Sequence, residues 1–178
     1  MGINEEEYRF CPLCGKVIEN PGQDTLESIS FFCPHCGFKH YSDPKVVVSG
    51  ILEVSQRILL VKRANYPQKG TWVLPGGYVD RGEELKTATA REIDEECGLK
   101  IKVKDLIGIY SYPGNPVVLV AYEAEYLSGE LNINDESLAA RWFGFEELPW
   151  ENIGFQSTKD AIKDYMDMKN RKGDIHRK

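Results

Sequence analysis

Apolar residues recur along this chain with two different periods. From Lys45 to Val54, and again from Arg57 to Arg63, the sequence is dense in Val, Ile and Leu, a composition that favours strands. Ser55-Gln56 between the two runs predicts a hairpin turn. From Glu84 to Cys97 the period lengthens. No Pro or Gly interrupts this stretch, Ala90, Ile93 and Cys97 fall at i, i+3 and i+7, and Gly98 supplies a stop. A helix is predicted there, with those three residues facing the core. Further strands are predicted over 101–112 and 116–127, split by Pro113-Gly114-Asn115-Pro116, with a short one at Arg141–Phe145 and a turn after it. Ser157 reads as an N-cap with Asp160 at N3, and Ala161, Ile162, Tyr165 and Met166 carry the period of a last helix. Near the N-terminus, Val17-Ile18 and Phe31-Phe32 predict short strands.

At 178 residues the chain suits one ordinary domain plus a small module. Its 42% hydrophobic and 28% charged content belongs to a soluble globular protein with a sizeable core. No apolar run approaches a membrane span, and Met1-Gly2 lacks the Ser or Thr at position six that a myristoylation signal needs, so no membrane partner is expected. The net charge of −6 argues against a nucleic-acid binder relying on bulk electrostatics. Lys16, Lys39, His40 and Lys45 supply a few cations, opposed by Glu5-Glu6-Glu7, and nucleic acid stays a minor alternative. No signal peptide is visible, which suits the cytoplasm. Residues 1–42 read as a small metal-binding module, 43–170 as the main domain and 171–178 as a flexible tail, with Ser42-Asp43-Pro44 at the boundary.

Two stretches carry chemistry. Cys11-Pro12-Leu13-Cys14-Gly15 and Cys33-Pro34-His35-Cys36-Gly37 are paired Cys-x2-Cys knuckles, eighteen residues apart, the spacing of a four-thiolate zinc ribbon. Four thiolates would close the tetrahedron and leave no open position, so Zn²⁺ here would be structural. Two disulfides, or thiols without metal, are the alternatives; Cys97 on the core face of a helix suits a reducing compartment. The second stretch is acidic. Glu92, Glu95 and Glu96 sit at i, i+3 and i+4 and share a helix face with small Ala88. Like charges so placed cost a helix about 0.2–0.5 kcal/mol per pair, and a hard oxygen-binding cation such as Mg²⁺ or Mn²⁺ would offset that. A bare Glu-x-x-Glu-Glu is also compatible with a solvated acidic face. The preceding Leu74-Pro75-Gly76-Gly77 is a turn-rich loop whose backbone can approach a ligand closely.

The full pattern decides between these readings. Gly77, five residues, Glu83, seven residues, then Arg91-Glu92-Ile93-Asp94-Glu95-Glu96-Cys97-Gly98-Leu99 resembles the Nudix box at every fixed position. Asp43–Val48, Gly70–Gly77 and Glu136–Phe143 are similar to the family as well, so the resemblance covers most of residues 43–168. It implies an α/β fold, the Nudix α/β/α sandwich with a mixed sheet, here preceded by the zinc ribbon. It also implies catalytic metal held by Glu92, Glu95, Glu96 and the Gly76 carbonyl, with Glu83 and Arg91 as a structural ion pair. Glu96 would be the central ligand, and Glu92 or Glu95 could help orient or deprotonate the attacking water. In some ADP-ribose enzymes a loop Glu is the base instead, for which Glu136 is the candidate, with a solvated loop residue as its alternative.

A ribbon ahead of the domain is similar to NADH pyrophosphatases and, more closely, to ribbon-bearing ADP-ribose and FAD pyrophosphatases. NADH enzymes carry a Ser-Gln-Pro-Trp-Pro-Phe-Pro-x-Ser array after the box, where this chain has Tyr110-Ser111-Tyr112-Pro113-Gly114-Asn115-Pro116. ADP-ribose or FAD is therefore expected ahead of NADH, with a nucleoside triphosphate substrate or a noncatalytic metabolite sensor as the rival functions. Arg63 is a candidate phosphate ligand, and Trp72 and Tyr112 are candidates for stacking on substrate rings; packing and ordinary surface roles compete with each. Beyond a small nucleotide substrate, a homodimer stays open as a partner.

Overall fold

The structure, a computed structural model, describes residues 9–18, 29–41 and 43–175. The chain divides into two compact units, residues 1–44 and 45–178. In the first, β1 (Ile29–Phe32) pairs antiparallel with β2 (Lys39–Tyr41), and Phe10 forms an isolated bridge with Val17. Phe31-Phe32 thus lies in a strand as expected, whereas Val17 makes only the bridge. Residues 1–8, 19–28 and 42 of the expected ribbon lie outside the described residues.

The second unit is built on one mixed sheet of seven strands. These are β3 (Lys45–Val54), β4 (Arg57–Arg63), β5 (Trp72–Val73), β6 (Gly76–Tyr78), β7 (Leu99–Tyr110), β8 (Val117–Gly129) and β9 (Ser137–Gly144). The order β5-β4-β3-β8-β7 forms the main path, with β6 beside β3 and β9 beside β4. Only β3 with β8 is parallel, over Lys45–Leu52 against Val117–Ala124. On its other edge β3 is shared: Val47–Ser49 pair with β6, and Glu53-Val54 pair with β4. The Gly76-Gly77 loop is thereby fixed to the sheet beside the start of β3.

Helices α1 (Leu85–Cys97) and α2 (Gln156–Ile175) cover opposite faces, and alternation along the strands sorts the core. Leu59 and Val61 of β4 join Leu52, Ile93 and Cys97 on the α1 side; Ile58 and Leu60 join Ile51, Ala161, Ile162 and Tyr165 on the α2 side. Each fully buried aliphatic side chain stabilises by about 1.5–3 kcal/mol. Gly50 lets α1 pack closely, since a Cβ there would stand 2.5 Å from Ile93 Cδ1 and displace it. No helix among the described residues is long and apolar enough to cross a membrane.

Three expectations change. Ala88 does not share the open acidic face: it is fully buried against Val48, Val120 and Tyr122. By helical spacing it lies on the side of Glu92 and Glu96, but β3 and β8 cover that side at the first turn; Ala90, on the expected core face, is only partly buried. Ser157 is not a cap, because α2 begins at Gln156 and Asp160 instead accepts from Gln156 Nε2 at 2.8 Å. The same helix continues to Ile175, into the stretch expected to be a tail; residues 176–178 lie outside the described residues.

The Ser55-Gln56 hairpin closes with both residues at positive φ, 50° and 62°, between the paired residues Val54 and Arg57. This is type I′ geometry, which Asn-Gly adopts with least strain. Replacing Ser55→Asn together with Gln56→Gly is expected to stabilise the chain by about 0.5–2 kcal/mol. Urea unfolding checks this, as a higher midpoint at unchanged m-value.

Candidate active site

The loop before α1 carries two glycines in close contact, and at Gly76 both the φ and the neighbouring backbone exclude a side chain. Gly76 has φ +147°, and a Cβ there would lie 2.1 Å from the Val48 carbonyl oxygen. Gly77 faces the next element: its Cβ would fall 2.1 Å from Glu92 Oε2. The loop backbone therefore lies directly against the acidic helix, and its amides can serve the carboxylates. Gly98 at φ 68° ends the helix, donating its N–H to the Asp94 carbonyl.

Glu96 is the most enclosed of the three carboxylates. Gly76 N–H donates to its Oε2 at 3.0 Å, and the Ser137 hydroxyl donates to its Oε1 at 2.9 Å. Burial pushes Glu96 above its ordinary pKa, these two donors oppose that, and the nearby Glu136 and Glu92 charges add to the rise. Glu92 is raised for the same leading reason, burial, opposed by Arg91 and reinforced by Glu95 and Glu136. Carboxylates that raise one another in a half-buried site fit a cation. This donor set, all hard oxygen, fits Mg²⁺ or Mn²⁺.

Arg91 organises the rim. Its Nε and Nη2 grip the two Glu83 oxygens at 2.9 and 2.8 Å, and Nη2 also donates to the Tyr78 carbonyl at 3.2 Å. The remaining nitrogen, Nη1, reaches Glu92 at 2.8 Å and Glu95 at 3.3 Å. Hydrogen bonding to Arg91 holds Glu83 below its ordinary pKa, and Glu83 in turn keeps Arg91 charged. Glu83 also accepts from the Asp80 amide at 3.2 Å, so one carboxylate ties loop to helix while Arg91 adds the strand through Tyr78.

Opposite the helix, Asn134 builds a tight turn: its Oδ1 accepts from Glu136 N–H at 3.0 Å, and its carbonyl accepts from Ser137 N–H at 3.2 Å. That turn brings Glu136 near enough to raise both Glu92 and Glu96, and points the Ser137 hydroxyl at Glu96. Arg63 lies at the same end, paired with Ser137 across β4 and β9; its Nε donates to the Pro67 carbonyl at 3.0 Å and its guanidinium covers the Phe155 ring. Trp72 instead packs edge-on against Phe143, 4.9 Å between centroids, as a margin of the α2-side core. Tyr112 stands apart from the carboxylates. Its hydroxyl donates to Asp160 of α2 at 2.7 Å, in a cleft of about 390 Å³ shared with Tyr110, whose hydroxyl donates to Asp164. Cys97 is fully buried and pushed up to about 12 by burial and then by Glu96, a neutral core thiol.

Ser137 was not legible in the sequence as a site residue. It has no helical spacing to the acidic cluster and stands 41 positions from Glu96. A small hydroxyl at the first position of a strand, after Asn-Asp-Glu, was the one available signal.

In the N-terminal unit all four cysteines are free, and their sulfurs lie within 4.8 Å of one another. Cys11 to Cys36 is 3.7 Å and Cys14 to Cys33 is 3.8 Å. A tetrahedron with Zn–S bonds of about 2.3 Å has edges of about 3.8 Å, so the sulfurs fit that ion. Both knuckles use one scheme: Cys11 N–H donates to Lys16 and Gly15 N–H to Cys11, while Cys33 N–H donates to Phe38 and Gly37 N–H to Cys33. Among the described residues this is the group whose metal-ligating atoms converge; Arg91 draws Glu92 and Glu95 toward itself.

Known proteins resemble this chain in sequence and in fold. The NUDIX domain model matches residues 43–165. An ADP-ribose pyrophosphatase from Methanocaldococcus jannaschii is 42% identical over 137 residues, which is 75% of this chain and 79% of that protein. The NAD-capped RNA hydrolase NudC of Stutzerimonas stutzeri is 32% identical over 151 residues, 84% of this chain and 52% of the relative, so the chain spans about half the length of that protein. The crystal structure of a NUDIX hydrolase from Nitrosomonas europaea superposes with a TM-score of 0.81 at 36% identity, covering 92% of this chain and 93% of that one.

Glu92 and Glu96 both bind protons more tightly in the folded chain than carboxylates do in an unfolded one. Between their ordinary and raised pKa values the folded state therefore carries more protons, and stability falls as pH rises through that window. Above it, the cluster holds its full cost. Glu96→Gln removes one buried charge, keeps an oxygen for Gly76 N–H, and offers its amide to the Ser137 oxygen. In a metal-chelating buffer at neutral pH this variant is expected to be more stable than the parent by about 0.5–2 kcal/mol, with the gain vanishing at acid pH. Denaturant melts at both pH values check it.

Proposed function

This chain belongs to the NUDIX family of hydrolases, and we propose that it is a Mg²⁺- or Mn²⁺-dependent pyrophosphatase. Its substrate is a nucleoside diphosphate linked to a second moiety, cut to AMP and a phosphorylated remainder. The observation that carries this reading is the partly buried Glu96 carboxylate, faced by Glu92 and Glu136 and fixed against the Gly76-Gly77 backbone. Such a site accumulates negative charge in the position where a polyanionic substrate needs a cation. ADP-ribose is ranked first, because the relative from Methanocaldococcus jannaschii bears that activity in its name. FAD follows on the ribbon-bearing resemblance, then NADH; the relative named NAD-capped RNA hydrolase, covered over about half its length, supports an NAD-related substrate only.

In this assignment Glu96, Glu92 and Glu95 hold the catalytic cation together with the Gly76 carbonyl. A bound Mg²⁺ or Mn²⁺ neutralises phosphate oxygens and lowers the pKa of water. The chain's own part is to orient and to move a proton. Glu136, exposed on its Asn134 turn, accepts the proton of the attacking water. Arg63, held by Pro67 and Phe155, presents its outer nitrogens to a phosphate. Arg91 keeps the loop closed on the helix through Glu83. Trp72 and Tyr112 are assigned to the substrate's rings. The Cys11, Cys14, Cys33 and Cys36 thiolates hold one structural Zn²⁺ in a ribbon of residues 1–42, ahead of the hydrolase domain over 43–170.

Mass-spectrometric product analysis over a nucleotide panel tests the substrate. AMP released from ADP-ribose or FAD far faster than pyrophosphate from any nucleoside triphosphate is expected, with turnover lost in EDTA and reduced by orders of magnitude in Glu96→Gln. Faster cleavage of a triphosphate overturns the ranking and places the enzyme with those that sanitise nucleotide pools.

Elemental analysis of purified protein is expected to give one zinc per chain. Cys33→Ala is expected to lose it and to unfold the ribbon, since zinc supplies roughly 10–16 kcal/mol in small peptide modules. Far-UV and tryptophan signals of the hydrolase domain should persist. Absence of zinc in the parent protein defeats the assignment.

A further inference from the structure

The metal reading treats Glu96 as a ligand; the fold adds a residue whose task is to aim it. We propose that Ser137 is a positioning residue for the catalytic cation site, acting through Glu96 and resting on the function proposed above. Ser137 is 7% exposed and opens β9. Its hydroxyl meets Glu96 Oε1 at 2.9 Å, while Gly76 N–H meets Oε2 at 3.0 Å. One donor on each oxygen fixes both the plane and the rotation of the carboxylate. Each oxygen keeps a free lone pair. With a single donor, the carboxylate could turn about its terminal bond, whose torsion is soft.

The hydroxyl is itself fixed from outside the helix. Ser137 N–H is held by the Asn134 carbonyl, and its Cα is locked opposite Arg63 at a register shift between β4 and β9. The adjoining residue, Glu136, anchors the other side of the same turn, its carbonyl accepting from Ala64 N–H at 2.8 Å. The turn therefore places two functions side by side. Glu136 is presented to solvent and to the acidic cluster, and Ser137 is turned inward onto the buried ligand. The serine is uncharged, so it supplies orientation at no change in the charge available to a cation.

Outer partners of ligating side chains typically change metal affinity by about 10–100-fold when lost. The test is Mn²⁺ binding to the full chain, read as loss of the free-ion EPR signal, with thermal unfolding recorded for every variant. Ser137→Ala is expected to weaken Mn²⁺ binding by about 10–100-fold and to raise the Mn²⁺ concentration for half-maximal hydrolysis in parallel. Its unfolding in EDTA should stay one cooperative transition, a few degrees below the parent's because Glu96 Oε1 loses its donor. Ser137→Thr keeps the hydroxyl and is expected to bind Mn²⁺ within a few-fold of the parent. Parent-like binding by Ser137→Ala overturns the proposal. So does equal loss in the Ala and Thr variants, which would trace the effect to packing. Glu96→Gln is the separating control: if it too binds Mn²⁺ like the parent, the metal site itself is misassigned; if it alone loses binding, only the serine's role fails.

Discussion

Taking a carboxylate out of water costs several kcal/mol unless donors replace the solvent, and the arrangement around Glu96 follows from that requirement. One donor must come from backbone, because the helix presents no free amide there. The Gly76 loop supplies it, which obliges Gly76 to sit at φ +147° with its α-carbon pressed on Val48. The other comes from β9, which obliges that strand to start at Ser137 beside Arg63. Pairing of β6 with the first half of β3, and of β9 with β4, is what delivers both donors to one helix.

The cost of the cluster is not fully offset in the protein alone. Glu92 and Glu96 both remain above ordinary carboxylate values. A core that already buries Ile93 and Cys97 on the same helix supplies the stability against which this strain is held. Stability and site are thus opposed on two faces of one thirteen-residue helix, the apolar one anchoring it and the acidic one loading it.

Periodicity made the skeleton readable. The β3 and β4 runs, the helix ending at Cys97 and the α2 positions Ala161, Ile162 and Tyr165 lie where their spacing put them, because burial enforces spacing directly. Helix starts were harder. Ser157 has the chemistry of a cap, yet Gln156 already lies in the helix, since the chain arriving from Ile153 and Phe155 sets the entry. Ala88 was assigned by face from one helix alone, and the sheet decided otherwise by meeting the first turn with Val48 and Tyr122. Contacts between distant segments were unreadable for the same reason: nothing local links Ser137 to Glu96, or Tyr112 to Asp160.

The guanidinium of Arg91 uses its three nitrogens unequally. Nε and Nη2 are committed to Glu83 and the Tyr78 carbonyl, which are scaffold; Nη1 alone touches Glu92 and Glu95, which face the site. The two jobs are therefore separable. Nη1 can surrender both carboxylates to another positive partner while the other two nitrogens keep the loop clasped to the helix. Arg91 is thus a counter-ion to the acidic face carried by the same side chain that clasps loop to helix.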